Sequence, residues 1–301
     1  MSCIVARFLA ITVLTAASFL AGGAASAQTP ETSGYAHPEW FADAAWLGEH
    51  IDDPDLTIVA LTPPEDFAAG HIPGAAQVDW PELEIVETSD QSVQNWRGEI
   101  EQALTDLGVE RGDTVVVYAG GTFYASRLWW ILFQLGHADV RILNGGLAAW
   151  TAADGELETG ESTVEPAPEQ YLGEPSEEAI AQIDEVEAAF EEGDTVFVDA
   201  RSGEEYAEGH IPGAVNVPFT DNGEAENPKY WKSVEDLRSM YEGLGVIPDK
   251  PVIAYCTTGV RSAATYFTLL QLGYDNVSLF TGSYVEWTSD PDRPITTGEQ
   301  P

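Results

Sequence analysis

Cys256 is the residue best placed to do covalent chemistry in this sequence. It heads the stretch Cys256-Thr257-Thr258-Gly259-Val260-Arg261-Ser262, which lies between the apolar run Val252 to Tyr255 and a helical pattern from about Val260 to Leu272. The run has the length and branching of a buried strand, and Gly273 suits a helix C-terminus, so the cysteine opens a strand-to-helix loop. Backbone N–H groups of such a loop, from Thr257 to Ser262, converge at a helix N-terminus where partial positive charge favours anions. That setting favours the thiolate, which is the nucleophilic form of cysteine. Arg261 would add a charge-assisted contact to a bound anion, unless as a first-turn residue it points to solvent. The competing reading is an inert, buried cysteine. A second cation, Arg201, ends the run Val198-Asp199-Ala200-Arg201, at the strand end where open parallel sheets gather ligands. It is a candidate anion ligand, its alternative being an ion pair with Asp199.

The elements that must position these residues occur twice. Phe67-Ala-Ala-Gly-His71-Ile-Pro-Gly-Ala75 recurs 139 residues later as Tyr206-Ala-Glu-Gly-His210-Ile-Pro-Gly-Ala214. Leu132 to Gly136 recurs as Leu269 to Gly273, and Asn144 to Trp150 as Thr281 to Trp287, both at 137. Ordered blocks at nearly one offset are a tandem repeat of a whole domain. In the first copy Thr57–Leu61 and Thr114–Tyr118 read as strands, and Trp40–His50, Val93–Leu107 and Ala125–Leu135 as helices. In the second, Thr195–Asp199 and Val252–Tyr255 are the strands, and Glu177–Glu191, Val234–Leu244 and Val260–Leu272 the helices. The alternation predicts α/β domains, each a mostly parallel sheet with helices on both faces. The domains are placed at 35–157 and 176–297, joined by a linker at 158–175 within the aperiodic stretch Thr151 to Pro175.

Comparing the copies localises the chemistry. Ala119 occupies the cysteine position of the first copy. Aligning Val198 to Arg201 on Ile58 to Leu61, with one inserted residue, leaves the first copy without the Asp and the Arg as well. Both copies keep the histidine, so His71 and His210 are expected to fix a turn by hydrogen bonding, and Trp150 and Trp287 to pack.

Composition sets the surroundings. Residues 1–27 read as an export signal, with Arg7, the apolar run Phe8 to Ala21, and Ala25-Ser26-Ala27 as cleavage site. The apolar run is too short and too diluted to span a membrane, so an exported protein, periplasmic or extracellular, without a membrane span is expected. Cys3 would leave with the signal, and Cys256 would remain as a single thiol in an oxidising setting. Lys and Arg number 12 against 51 Asp and Glu, a formal net charge of −39. That field opposes nucleic acid and anionic membrane surfaces as partners, and acids spread through patterned segments suggest a protein adapted to concentrated salt. The sequence has no Cys/His cluster with ligand spacing, so neither a metal nor another cofactor is expected.

Taken together, these motifs resemble the two-domain rhodaneses, a sulfurtransferase family, over roughly Trp40 to Ile295. Both His-Ile-Pro-Gly-Ala segments match the family's N-terminal signature. Phe280 to Trp287 resembles the C-terminal one, with departures at Thr281 and Tyr284. The six-residue loop Cys256 to Arg261 fits the family, whereas the longer loop of related phosphatases does not. The resemblance implies a first domain without the cysteine and ping-pong transfer through a Cys256 persulfide. Sulfur would pass from a small anionic donor to a cyanide, thiol or protein acceptor. Thr257 and Thr258 stand where thiosulfate enzymes often have basic residues and mercaptopyruvate enzymes have Gly and Ser. Arg261 resembles the sixth position of a set of bacterial thiosulfate-type loops, which favours thiosulfate as donor. A carrier that delivers sulfur to a protein without turnover is the second expectation. A redox sensor is a weaker third, because no resolving cysteine accompanies Cys256.

Overall fold

The computed structural model describes residues 34–120, 123–225 and 230–301, and the expected export signal at 1–27 lies outside them. The first domain runs β1 (Phe41–Ala42), α1 (Ala44–His50), β2 (Leu56–Leu61), α2 (Pro64–Ala69), β3 (Ala76–Val78), α3 (Asp90–Asp106), β4 (Thr114–Tyr118), α4 (Ala125–Gln134), β5 (Asp139–Leu143) and α5 (Gly146–Ala152). Its strands order as β1-β5-β4-β2-β3, every neighbouring pair parallel. The second domain runs α6 (Ile183–Glu192), β6 (Val196–Asp199), α7 (Gly203–Glu208), β7 (Val215–Asn216), α8 (Val234–Gly243), β8 (Val252–Tyr255), α9 (Ser262–Gln271), β9 (Val277–Leu279) and α10 (Ser283–Trp287). Here the order is β7-β6-β8-β9, again all parallel.

Alternation along the strands produces the layers. Val59, Val115 and Val117 face one way, into a core with α3 and α4. Ile58, Val116 and Tyr118 face the other way, toward α1, α2 and α5. Strands apolar on both faces are what a parallel sheet covered on both sides requires.

Two expected helices start later than their patterns suggest. Phe41 and Ala42 pair with Ile142 and Leu143 as an edge strand, and Asp43 then caps α1 by accepting from Trp46 N–H at 2.7 Å. In the second domain Ile180 bridges to Leu279 in the same parallel sense, so α6 begins only at Ile183. Satisfying the sheet edge outweighs local helical periodicity in both places.

The strand register also corrects the alignment of the copies. Ala60 lies opposite Tyr118 as Asp199 lies opposite Tyr255, so no residue is inserted. Ala60 and Thr62 are therefore the counterparts of Asp199 and Arg201, and the first copy lacks both groups all the same. Each copy closes by pairing a later segment with its histidine turn: His71 with Glu158, and His210 with Thr296. The linker lies along the first domain. Ala167 N–H and Tyr171 N–H bond to Thr105, and Glu174 N–H bonds to the Leu135 carbonyl.

The domains meet through α4 and α9. Phe267 of α9 stands edge-on to Trp129 of α4 and to Phe41, at 4.7 and 5.1 Å between ring centres. One buried cluster runs from Val59, Val117 and Trp130 through to Val198, Val252 and Leu279, so the two sheets share a core.

Candidate active site

β8 ends at Tyr255 and α9 starts at Ser262, so Cys256 to Arg261 form the whole turn between them. Gly259 has φ +81°, and a Cβ there would lie 2.8 Å from Thr281 Cα and closer still to the Thr281 carbonyl. Only glycine permits that conformation with backbone so near. Cys256 is 1 % exposed, while Thr257, Thr258 and Arg261 are partly exposed and mark the opening. Val260 and Ser262 are buried, and Ser262 Oγ donates to the Gly259 carbonyl at 3.2 Å.

The start of α10 supports the loop from behind. Tyr284 N–H donates to the Cys256 carbonyl and Val285 N–H to that of Thr257, both at 3.1 Å. Cys256 N–H donates to Ser283 Oγ at 3.1 Å. Ser283 holds φ +55°, a left-handed conformation uncommon outside glycine; its counterpart in the first domain is Gly146, at φ +58°. With these bonds made, the amides of Thr257, Thr258, Gly259, Val260 and Arg261 have no acceptor among the described residues. They form a set of donors beside a thiol, able to hold an anion and a developing negative charge.

The arginines separate in role. Arg261 neither points to solvent nor stands alone: its two terminal nitrogens donate to Glu205 at 2.8 and 2.7 Å, and one also donates to Thr257 Oγ1 at 2.5 Å. Glu205 comes from α7, where it also completes the capping box with Ser202. The Arg261 bond holds the Glu205 carboxyl down at about 2, and the same bond raises Arg261 above its ordinary range. The pair therefore stabilises the site above the usual carboxylate range and is lost only as pH falls toward 2.

Arg201 does not join the loop, which corrects the expectation that it faces the donor. Its guanidinium is buried against Asp199 at 2.5 Å, donates to the Gly209 carbonyl at 2.7 Å, and lies 3.9 Å over the Tyr284 ring. A carboxylate two residues away on the same strand end is closer and better oriented than any anion at the cysteine. Arg201 braces the α7 turn and Tyr284 instead.

The repeated histidines hold turns. His71 Nδ1 donates to the Phe67 carbonyl and His210 Nδ1 to that of Tyr206, each at 2.9 Å with the rings stacked. Trp150 and Trp287 are buried, their indole N–H groups donating to the Glu156 and Pro294 carbonyls.

Three contributors escape sequence reading. Glu205 and Thr281 are remote in sequence from the loop they hold. Arg127, on α4 of the domain without a thiol, donates to Thr281 Oγ1 at 3.0 Å across the interface. Only the internal repeat offered a signal, since comparing α4 with α9 pairs Arg127 with Ala264. The first domain shows what the chemistry left behind. Thr62, Asp66, Gly120 and Leu147 stand where the second has Arg201, Glu205, Thr257 and Tyr284, and they line a cavity of about 230 Å³.

Known proteins agree with this geometry. The rhodanese-like domain family matches residues 43–153 and again 182–290. The sulfur carrier protein TtuD of Thermus thermophilus is 34 % identical over 295 residues, covering 89 % of this chain and all of that one. A thiosulfate sulfurtransferase of Azotobacter vinelandii is 34 % identical, covering 84 % of this chain and 95 % of its own. The crystal structure of SseA from Escherichia coli, a 3-mercaptopyruvate sulfotransferase, superposes with a TM-score of 0.72 at 33 % identity, over 82 % of this chain and 99 % of its own. With the domain matched twice, the relatives spanned nearly end to end, and the thiol confined to the second copy, the chain belongs to the two-domain rhodanese family.

Proposed function

We propose that this protein is a sulfurtransferase that moves the outer sulfur of thiosulfate to a thiophilic acceptor, cyanide or a thiol, through Cys256. The observation that carries the reading is a cysteine at the head of a six-residue loop whose following amides have no acceptor among the described residues. In the first half-reaction the Cys256 thiolate attacks the outer sulfur. The S–S bond of thiosulfate breaks, its electron pair leaves on sulfite, and Cys256 keeps the sulfur as a persulfide anion. In the second, the acceptor anion attacks the terminal sulfur, the persulfide bond breaks, and the thiolate returns. Loop amides from Thr257 to Arg261 hold the anionic donor and offset the persulfide charge. Intact mass after thiosulfate should show one added sulfur on Cys256, and cyanide should remove it. No added mass would overturn the proposal.

Arg261 supports thiosulfate over 3-mercaptopyruvate as donor, because a guanidinium and loop amides suit a compact dianion. Thiosulfate should then give the higher kcat/KM; the reverse order would assign the donor as in SseA. Arg261→Ala is expected to lower kcat/KM for thiosulfate by about 1.5–3 kcal/mol of transition-state stabilisation. Glu205→Gln should act in the opposite direction on donor KM, since it releases Arg261 from a carboxylate that any anion must displace. An unchanged KM in both variants would remove Arg261 from the donor site.

The likeness to TtuD favours a second reading, in which the persulfide is delivered to a protein rather than turned over on small molecules. Steady turnover with thiosulfate and cyanide decides: a pure carrier loads once and stops.

We also propose an exported protein working in concentrated salt, on the support of residues 1–27 and a net charge of −39. The screening length is about 8 Å at physiological ionic strength and about 3 Å at 1 M. Raising KCl from low to molar concentration should therefore relieve repulsion among exposed acids and raise the melting temperature. A flat or falling melting temperature would contradict adaptation to salt.

A further inference from the structure

Two of the three arginines around the Cys256 loop are cancelled by carboxylates, Arg201 by Asp199 and Arg261 by Glu205. The third, Arg127, is 0 % exposed and has no carboxylate within 4.0 Å among the described residues. Its two terminal nitrogens donate to neutral oxygens, Thr281 Oγ1 at 3.0 Å and the Leu83 carbonyl at 2.7 Å, and its Nε has no partner among the described residues. The guanidinium lies 4.8 Å over Trp130 and 5.5 Å over Trp96, in apolar surroundings. Burying an unpaired cation is costly, so its retention calls for a negative charge nearby. Burial pulls Arg127 down to about 10, and the charge of Cys256, then that of Glu84, pulls the other way. Thr281, which receives Arg127, is the residue whose backbone lies against Gly259 at the centre of the loop.

We propose that Arg127 is a positioning residue of the Cys256 site. Given by the domain that has no thiol, it braces the loop through Thr281 and supplies a positive charge that is not held in a direct ion pair. It thereby favours the thiolate and the persulfide anion over their neutral forms. The other charged and titratable groups about the loop are Arg261, the Arg201–Asp199 pair, Glu205 from α7, Tyr284 and Glu286 from α10, Glu84 and Tyr124, and none of them is altered in the test.

The proposal rests on Cys256 being the sulfur-bearing nucleophile, but its test does not need turnover. Alkylation of Cys256 by iodoacetamide is followed by peptide mass across pH in the full chain and in Arg127→Met and Arg127→Lys. Methionine removes a buried, unpaired charge, which favours stability, but also the bonds to Thr281 Oγ1 and the Leu83 carbonyl, which opposes it, so the melting temperature should change little. Cys256 alkylation near neutral pH should nevertheless slow about tenfold, with its pH profile displaced by about one unit to the alkaline side. Arg127→Lys keeps the charge and should return the profile toward that of the parent. A structural brace alone would lower the melting temperature and leave the profile unmoved, and that pattern overturns the proposal. If Arg127→Met fails to fold, Arg127→Lys decides: an unmoved profile supports the charge role, and a folded protein with a strongly displaced profile refutes it.

Discussion

Replacing Cys256 with serine is expected to lower sulfur transfer by about three orders of magnitude or more, the scale on which enzymes lose rate with their nucleophile. The fold should survive. Cys256 is buried at the end of β8, and its backbone is held by Ser283 Oγ and Tyr284 N–H, bonds that serine leaves in place. Near-isosteric exchange removes neither the loop amides nor the Arg261–Glu205 pair, so donor binding should persist without chemistry. Measuring thiocyanate release alongside thermal melting separates the two. Substantial release by a folded Cys256→Ser protein would show that another group carries the sulfur.

The second large effect is expected at Gly259, where no reacting atom sits. Gly259→Ala forces φ +81° on an alanine and drives its methyl against the Thr281 backbone. The left-handed strain alone amounts to about 1–3 kcal/mol, and the collision adds to it. Something must shift, and either the loop or Thr281 moves. A displacement of about 1 Å at positioned donors is worth about a hundredfold in rate, so kcat/KM should fall by roughly that factor. Gly193→Ala provides the control. Gly193 has φ +75° beyond α6, but a methyl there meets nothing within 4 Å. It should cost about 1 kcal/mol of stability and leave activity alone. Equal activity losses in both variants would mean that strain, not the shape of the Cys256 loop, governs the rate.

The parts of this site that were legible in the sequence are local. A strand, a cysteine, a glycine and a helix in immediate succession define the loop, and the repeat supplies a second copy in which the cysteine is absent. Short strands were harder to read. Phe41–Ala42 and Val215–Asn216 are two residues long, too short for a period of two to show, and they exist because a sheet edge needs partners. The partners of the arginines were harder still. Arg201 and Arg261 are both cations near a strand or helix end, and each had a solvent or ion-pair alternative. Asp199, two residues from Arg201, could be named as its partner, whereas the partner of Arg261, Glu205, depends on α7 folding over the loop, a tertiary fact. Glu205 reads in sequence as one more acid among 51 Asp and Glu, and Arg127 as one polar residue in an apolar helix. Their significance comes only from what stands opposite them.

The pairing of α4 with α9 bears on how this chain is made. All the residues of α4 from Ala125 to Leu132 are buried, and part of their cover is Phe267, which a ribosome synthesises well over a hundred residues later. Until then Trp129 lacks that cover and Phe133, stacked on it, lacks Tyr266, leaving the kind of exposed apolar surface on which nascent chains aggregate or recruit chaperones. A protease cut in the linker should accordingly leave two fragments that stay clasped rather than two that drift apart. Borrowing either half as a portable module would have to begin by repainting one helix.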